Sequence, residues 1–291
     1  MTNPASPVTR TVAVNGINLA YHEWRGAPGN HEPSLLFAHA TGFHGRCYSA
    51  IAEAFPDRRV ISLDLRGHGR SDGGPVDNWR TISKDVTAFV EQMGITGAVG
   101  VGHSMGAVTL TQCAADSSKA FSKLILFDPV IFAPQYYADG SPLFSADAPH
   151  PAIRRKRDFA SPEEMMERFA KRDPYALFHP RVFEDYCRYG LERVGAGGYV
   201  LACKPELEAS VYASSRSNTG IHKAAESIDI PALVVRAKQA KVMDFKSSPT
   251  WPQLASTIPR GEDLPRPDRT HFHPFEDPED AARIIAEFAA R

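Results

Sequence analysis

The sequence predicts an α/β chain in which a mostly parallel sheet is flanked by helices and interrupted by an inserted helical segment. Short apolar, β-branched runs alternate with Gly-rich turns and helical patterns along most of the chain. That alternation stops between residues about 132 and 228. One strand also passes through the tight turn Gly102-His103-Ser104-Met105-Gly106 directly into a helix.

Taken in order, the expected strands are 10–14, 17–24, 34–39, 59–64, 97–103, 123–128 and 231–237. Helical periodicity is clearest at 80–93, 105–116 and 278–290, where apolar residues recur every three or four positions. Residues 1–131 and 229–291 therefore form the expected core, and 132–228 an inserted cap or lid. Segments Pro162–Phe169 and Val182–Tyr186 of the insert read as amphipathic helices. Its basic run Arg154-Arg155-Lys156-Arg157 reads as a solvated helix face, and Glu208 as a solvent-facing side chain. The aromatics Tyr136, Tyr137, Phe144, Phe178, Phe183, Tyr186, Tyr189 and Tyr212 either pack the insert onto the core or line an apolar pocket.

Bulk properties narrow the function. The chain's 291 residues suffice for an independent core. Lys plus Arg number 33 against 34 for Asp plus Glu, so no global field collects nucleic acid or acidic membrane surfaces. No run is long and apolar enough to span a bilayer, and the N-terminus lacks a secretory pattern, so the expected location is cytoplasmic. Cys47, Cys113, Cys187 and Cys203 show no metal-binding spacing and read as buried, reduced thiols. The oligomeric state is not legible, and no cofactor or metal is expected.

Chemistry concentrates at Ser104. The strand Ala98–Val101, the Gly-x-Ser-x-Gly turn and the following helix supply the context that this motif requires. Glycines at 102 and 106 leave room for a neighbouring strand and helix, and a helix N-terminus favours developing negative charge at the serine. The loop His39-Ala40-Thr41-Gly42-Phe43-His44-Gly45 has the small residues that let amides face a ligand. The expected oxyanion donors are the N–H groups of Thr41 and Met105.

With Asp64-Leu65-Arg66-Gly67-His68-Gly69-Arg70-Ser71, these motifs make the sequence resemble the α/β-hydrolase family from about residue 10 to the end. The resemblance implies that this Asp-x-Arg-Gly segment is structural, so Arg66 and His68 take no catalytic role. Most family members carry His-Gly where this chain has His39-Ala40. The resemblance also selects His271, in Thr270-His271-Phe272, as the base over His273. His39, His44, His68 and His103 read as structural hydrogen-bonding groups.

The acid is less direct. The family commonly places it after the seventh strand, where Lys241 stands here and Asp244 follows a few residues later. Asp128, closing Leu124-Ile125-Leu126-Phe127 before Pro129, is preferred for the role, and Asp244 is the alternative. The expected activity is hydrolysis of a carboxylic ester with a small or medium apolar acyl group, through an acyl-enzyme. A C–C bond hydrolase or a lactonase would use the same triad, and a non-catalytic member that binds a small ligand would explain the displaced acid.

Overall fold

The structure is a computed structural model and describes residues 6–138, 140–145, 147–195, 197–239 and 246–291. In chain order the strands are β1 (Val8–Val14), β2 (Ile17–Trp24), β3 (Leu35–Ala38), β4 (Val60–Leu63), β5 (Ala98–His103), β6 (Phe121–Phe127), β7 (Asp158–Phe159), β8 (Leu191–Val194), β9 (Gly198–Leu201), β10 (Ala232–Ala237) and β11 (Gly261–Arg266). Eight of them form one sheet, ordered β1-β2-β4-β3-β5-β6-β10-β11. β1 and β2 make an antiparallel hairpin whose Asn15-Gly16 turn has positive φ at both residues, as a two-residue hairpin turn requires. β2 pairs antiparallel with β4, and every pairing from β4 to β11 is parallel.

β3, β4 and β5 are buried on both faces because helices cover the sheet from both sides. Helix Trp79–Gln92 lays Ile82, Val86 and Phe89 on one face. Helix Pro278–Ala290 lays Ile284, Ile285 and Phe288 on the other. Both begin at a side-chain cap: Asn78 accepts the Arg80 N–H, and Asp277 the Asp280 N–H. Each such cap contributes about 1 kcal/mol.

β11 carried no strand signal because Gly261-Glu262-Asp263-Leu264-Pro265-Arg266 is polar and contains a proline. It lies at the sheet edge and pairs only with β10, where a proline is tolerated. The segment between β6 and β10 also corrects the expectation of a purely helical insert. Helices Pro162–Phe169, Pro180–Tyr189 and Pro205–Ala213 are joined there by a three-stranded antiparallel sheet, β7-β9-β8. Strands of two to four residues are too short to show a period of two.

Candidate active site

β5 ends at His103 and helix Met105–Asp116 begins two residues later, so Ser104 alone turns the chain. It does so at φ 57° and ψ −117°, a conformation that costs about 1–3 kcal/mol and persists only where its surroundings enforce it. The flanking glycines permit that enforcement. A Cβ on Gly102 would lie 2.5 Å from Ala107 Cα in the helix, and one on Gly106 would lie 2.1 Å from the Ala38 carbonyl oxygen at the end of β3.

His271 and Asp128 meet Ser104 from two other elements. His271 follows β11, and its Nε2 lies 3.0 Å from Ser104 Oγ. Its Nδ1 lies 2.6 Å from Asp128 Oδ2. Asp128 stands one residue beyond β6 at φ 46°, with its N–H donating to the Val235 carbonyl. Its second oxygen, Oδ1, accepts the Ala237 N–H at 3.0 Å, the Thr250 hydroxyl at 3.3 Å and the Ser248 hydroxyl. Those donors fix the carboxylate in one orientation and satisfy it in a site that is 3% exposed. Ser248 and Thr250 were missed by sequence reasoning, since nothing in a Ser-Ser-Pro-Thr stretch announces a carboxylate partner about 120 residues away. Lys241 and Asp244 lie outside the described residues.

His103 holds the backbone of His271. Its Nε2 donates to the His271 carbonyl at 2.8 Å, and its Nδ1 accepts from the Tyr48 hydroxyl at 3.2 Å. Burial pushes its pKa well below the usual histidine range, so the ring is neutral and structural. His39 and His68 act likewise on the loop after β3 and the turn after β4: His39 Nε2 accepts the Leu65 N–H, and His68 Nε2 accepts the Gly42 N–H. Arg66 is engaged in a two-pronged pair with Asp85.

The loop after β3 brings Thr41 beside helix Met105–Asp116, where Thr41 Oγ1 contacts Met105 Sδ at 3.6 Å. Among the described residues, neither the Thr41 nor the Met105 N–H is taken by another group. Phe43 anchors this loop against Phe178, Tyr186, Phe272 and Phe275.

Residues 35–284 match the alpha/beta hydrolase family. The chain belongs to that family. Its members are hydrolytic, and this hydrolase is 24% identical over 290 residues to a bifunctional esterase/perhydrolase of Acinetobacter calcoaceticus, covering 94% of this chain and 96% of that protein. It is 29% identical over 99 residues to an sn-1-specific diacylglycerol lipase of Mus musculus, a match to 33% of this chain and 32% of the lipase's length. In fold it is similar to E-2-(acetamidomethylene)succinate hydrolase, with a TM-score of 0.76, 20% identity, and coverage of 98% of this chain and 100% of that one.

In front of Ser104 the hydrolase has a cavity of about 340 Å³. Ala40, Thr41 and His271 line its core side, and Val130, Phe132, Phe144, His150, Tyr212 and Ser215 line much of the rest. The aromatics of the insert divide between two tasks. Phe144 and Tyr212 face the cavity, whereas Phe178 and Tyr186 pack on Phe43 and Tyr189 lies under the Arg46 guanidinium at 3.9 Å. All four cysteines are buried and free, and no helix among the described residues is long and apolar enough to cross a membrane.

Two expectations about the insert are overturned together. Arg155 does not face water: its guanidinium pairs with Glu208, itself 6% exposed, and donates to the Tyr186 hydroxyl at 2.6 Å. Arg154 and Arg157 are exposed as expected. The physical reason is that Arg155 has extended backbone, φ −63° and ψ 141°, so neighbouring side chains point to opposite sides instead of sharing a helix face. Glu208 is drawn inward by the same pair.

Proposed function

We propose that this protein is a serine hydrolase that cleaves a carboxylic ester with a small or medium apolar acyl group. The observation that carries this reading is the unbroken hydrogen-bonded chain from Ser104 Oγ through His271 to Asp128. Ser104 Oγ attacks the ester carbonyl carbon while His271 Nε2 takes its proton. The carbonyl oxygen, now negative, is held by the N–H groups of Thr41 and Met105, a stabilisation worth about 3–4 kcal/mol per donor in comparable sites. Collapse of this intermediate breaks the bond to the alcohol, which leaves with the proton from His271. Water then gives a proton to His271 and attacks the acyl-enzyme; as that intermediate collapses, His271 returns the proton to Ser104 Oγ and the acid leaves. Asp128 accepts the Nδ1–H and stabilises the charged ring.

The apolar walls support an apolar acyl group, and the esterase and lipase names of the two relatives point to the same chemistry. We assign residues 132–228 as the cap that closes the site. A fluorophosphonate probe tests the reading: labelling of Ser104, absent in Ser104→Ala, is expected. Failure to label, or labelling at another residue, overturns it. A panel of p-nitrophenyl esters, a lactone and a 1,3-diketone then ranks ester cleavage against lactone opening and C–C cleavage, with the esters expected to turn over fastest.

A further inference from the structure

The cavity in front of Ser104 has a polar patch on its cap side that the triad does not use. Ser215 is 5% exposed, and its hydroxyl is buried without a hydrogen-bond partner among the described residues. A buried, unpaired hydroxyl is unfavourable, and in a native fold it calls for an explanation. Three residues earlier, Tyr212 stacks on His150 with ring centroids 4.0 Å apart, and Phe144 meets the other edge of His150 at 4.8 Å. His150 Nδ1 accepts the Ala152 N–H at 3.2 Å, which leaves the proton of the neutral ring on Nε2. Burial lowers the His150 pKa, so the neutral form prevails at pH 7. Among the described residues, neither His150 Nε2 nor the Tyr212 hydroxyl has a partner. Three donors therefore belong to residues that line one apolar cavity, with no acceptor for them among the described residues.

We infer that His150, Tyr212 and Ser215 form a specificity subsite for a second, uncharged carbonyl oxygen on the substrate, distinct from the scissile ester. This rests on the serine-hydrolase reading. The set is made of donors and carries no charge, and among the described residues no Lys or Arg lines the cavity. It therefore suits a ketone or ester carbonyl better than a carboxylate, which ordinarily draws a cationic partner. A site built to hydrogen-bond an oxygen rejects the analogue that lacks it, because the donors are then left unpaired. The substrate class is thus an ester carrying a further carbonyl on an otherwise apolar frame.

Turnover of matched substrates, followed by pH-stat titration, tests the subsite. Diethyl glutarate, adipate and pimelate place the second carbonyl in the acyl arm, and the diacetates of propane-, butane- and pentanediol place it in the alcohol arm. Each is compared with the monoester of equal length. In one series the diester is expected to exceed its monoester in kcat/KM by roughly five- to tenfold, the effect of one or two hydrogen bonds. That ratio should fall towards one in Tyr212→Phe, Ser215→Ala and His150→Phe. Tyr212→Phe and Ser215→Ala keep the readout if loss of the His150 cap perturbs folding. Absence of any diester preference, or a preference that survives all three substitutions, overturns the subsite. A preference for monoethyl adipate over diethyl adipate overturns the uncharged ligand. Loss of all turnover would count against the serine-hydrolase reading instead, and the subsite is then read by thermal shift on Ser104→Ala. The diester should raise Tm above the monoester there, and no longer do so in Ser104→Ala/Tyr212→Phe; equal shifts overturn it.

Discussion

The two walls of the cavity treat their polar groups in opposite ways. On the core wall every side chain of the proposed triad is already committed: His103 holds the His271 backbone, and Ala237, Ser248 and Thr250 hold Asp128. On the wall of the proposed cap, His150 and Tyr212 are held by stacking, and the donors of His150, Tyr212 and Ser215 have no acceptor among the described residues. The difference separates two physical demands. Charge that develops during a reaction is stabilised best by groups that need no reorganisation, so those groups are fixed beforehand. Discrimination between substrates needs groups whose desolvation is offset only by the right ligand.

On the core wall, the largest effect is expected from Ser104→Ala, which should lower kcat on p-nitrophenyl esters by roughly 10⁴- to 10⁶-fold without lowering Tm. Retained activity would remove the nucleophile from this wall. Asp128→Asn should cost about 10³- to 10⁴-fold in kcat by presenting the wrong hydrogen-bonding partner to His271. Asp244→Asn should change kcat by less than about threefold, and equal losses in the two variants would undo the choice of acid.

Behind the cap wall, Arg155→Met should destabilise the fold by about 3–5 kcal/mol in urea unfolding, because Glu208 is left buried without its cation. Arg155→Met/Glu208→Leu should recover most of that loss. A smaller effect follows from the buried rings under the loop after β3. Burial lowers the pKa of His44 and of His68 to about 4, against 6.5 for a free histidine. The unfolded chain takes up these protons below pH 6.5 and the fold resists them, so stability should fall as pH drops from 6.5 to 4. The loss should be on the order of 3 kcal/mol for each ring, and His44→Gln should flatten the curve. Ser248→Ala should reduce kcat about three- to tenfold by loosening Asp128, with no change in the diester-to-monoester ratio.

What the sequence disclosed depended on how local the cause was. The turn at Ser104 was legible because strand, turn and helix are contiguous and both glycines are dictated by contacts within or next to that unit. The parallel strands flanking it were legible because burial on both faces writes continuous apolar runs. β11 and the small sheet of the cap were not, since an edge strand and strands of two to four residues leave no period. Arg155 and Glu208 were misjudged for a related reason. They lie 53 residues apart, and neither declares its partner by spacing. Ser248 and Thr250 were invisible on the same ground, whereas the place of Asp128 at the end of a buried strand was readable from the apolar run before it.

Gly42 carries a consequence for the heredity of this protein. It adopts φ 81°, and a Cβ there would stand 2.7 Å from Glu208 Oε1 of the cap. The loop that carries Thr41 therefore leaves no room for a side chain at residue 42, where the Arg155–Glu208 ion pair approaches it. A change at either side should be felt at the other, so the proposed cap is not expected to trade freely between cores. Recombination that parts residue 42 from residues 155 and 208 should yield misfitted chimeras, while breakpoints that keep the three together should be tolerated.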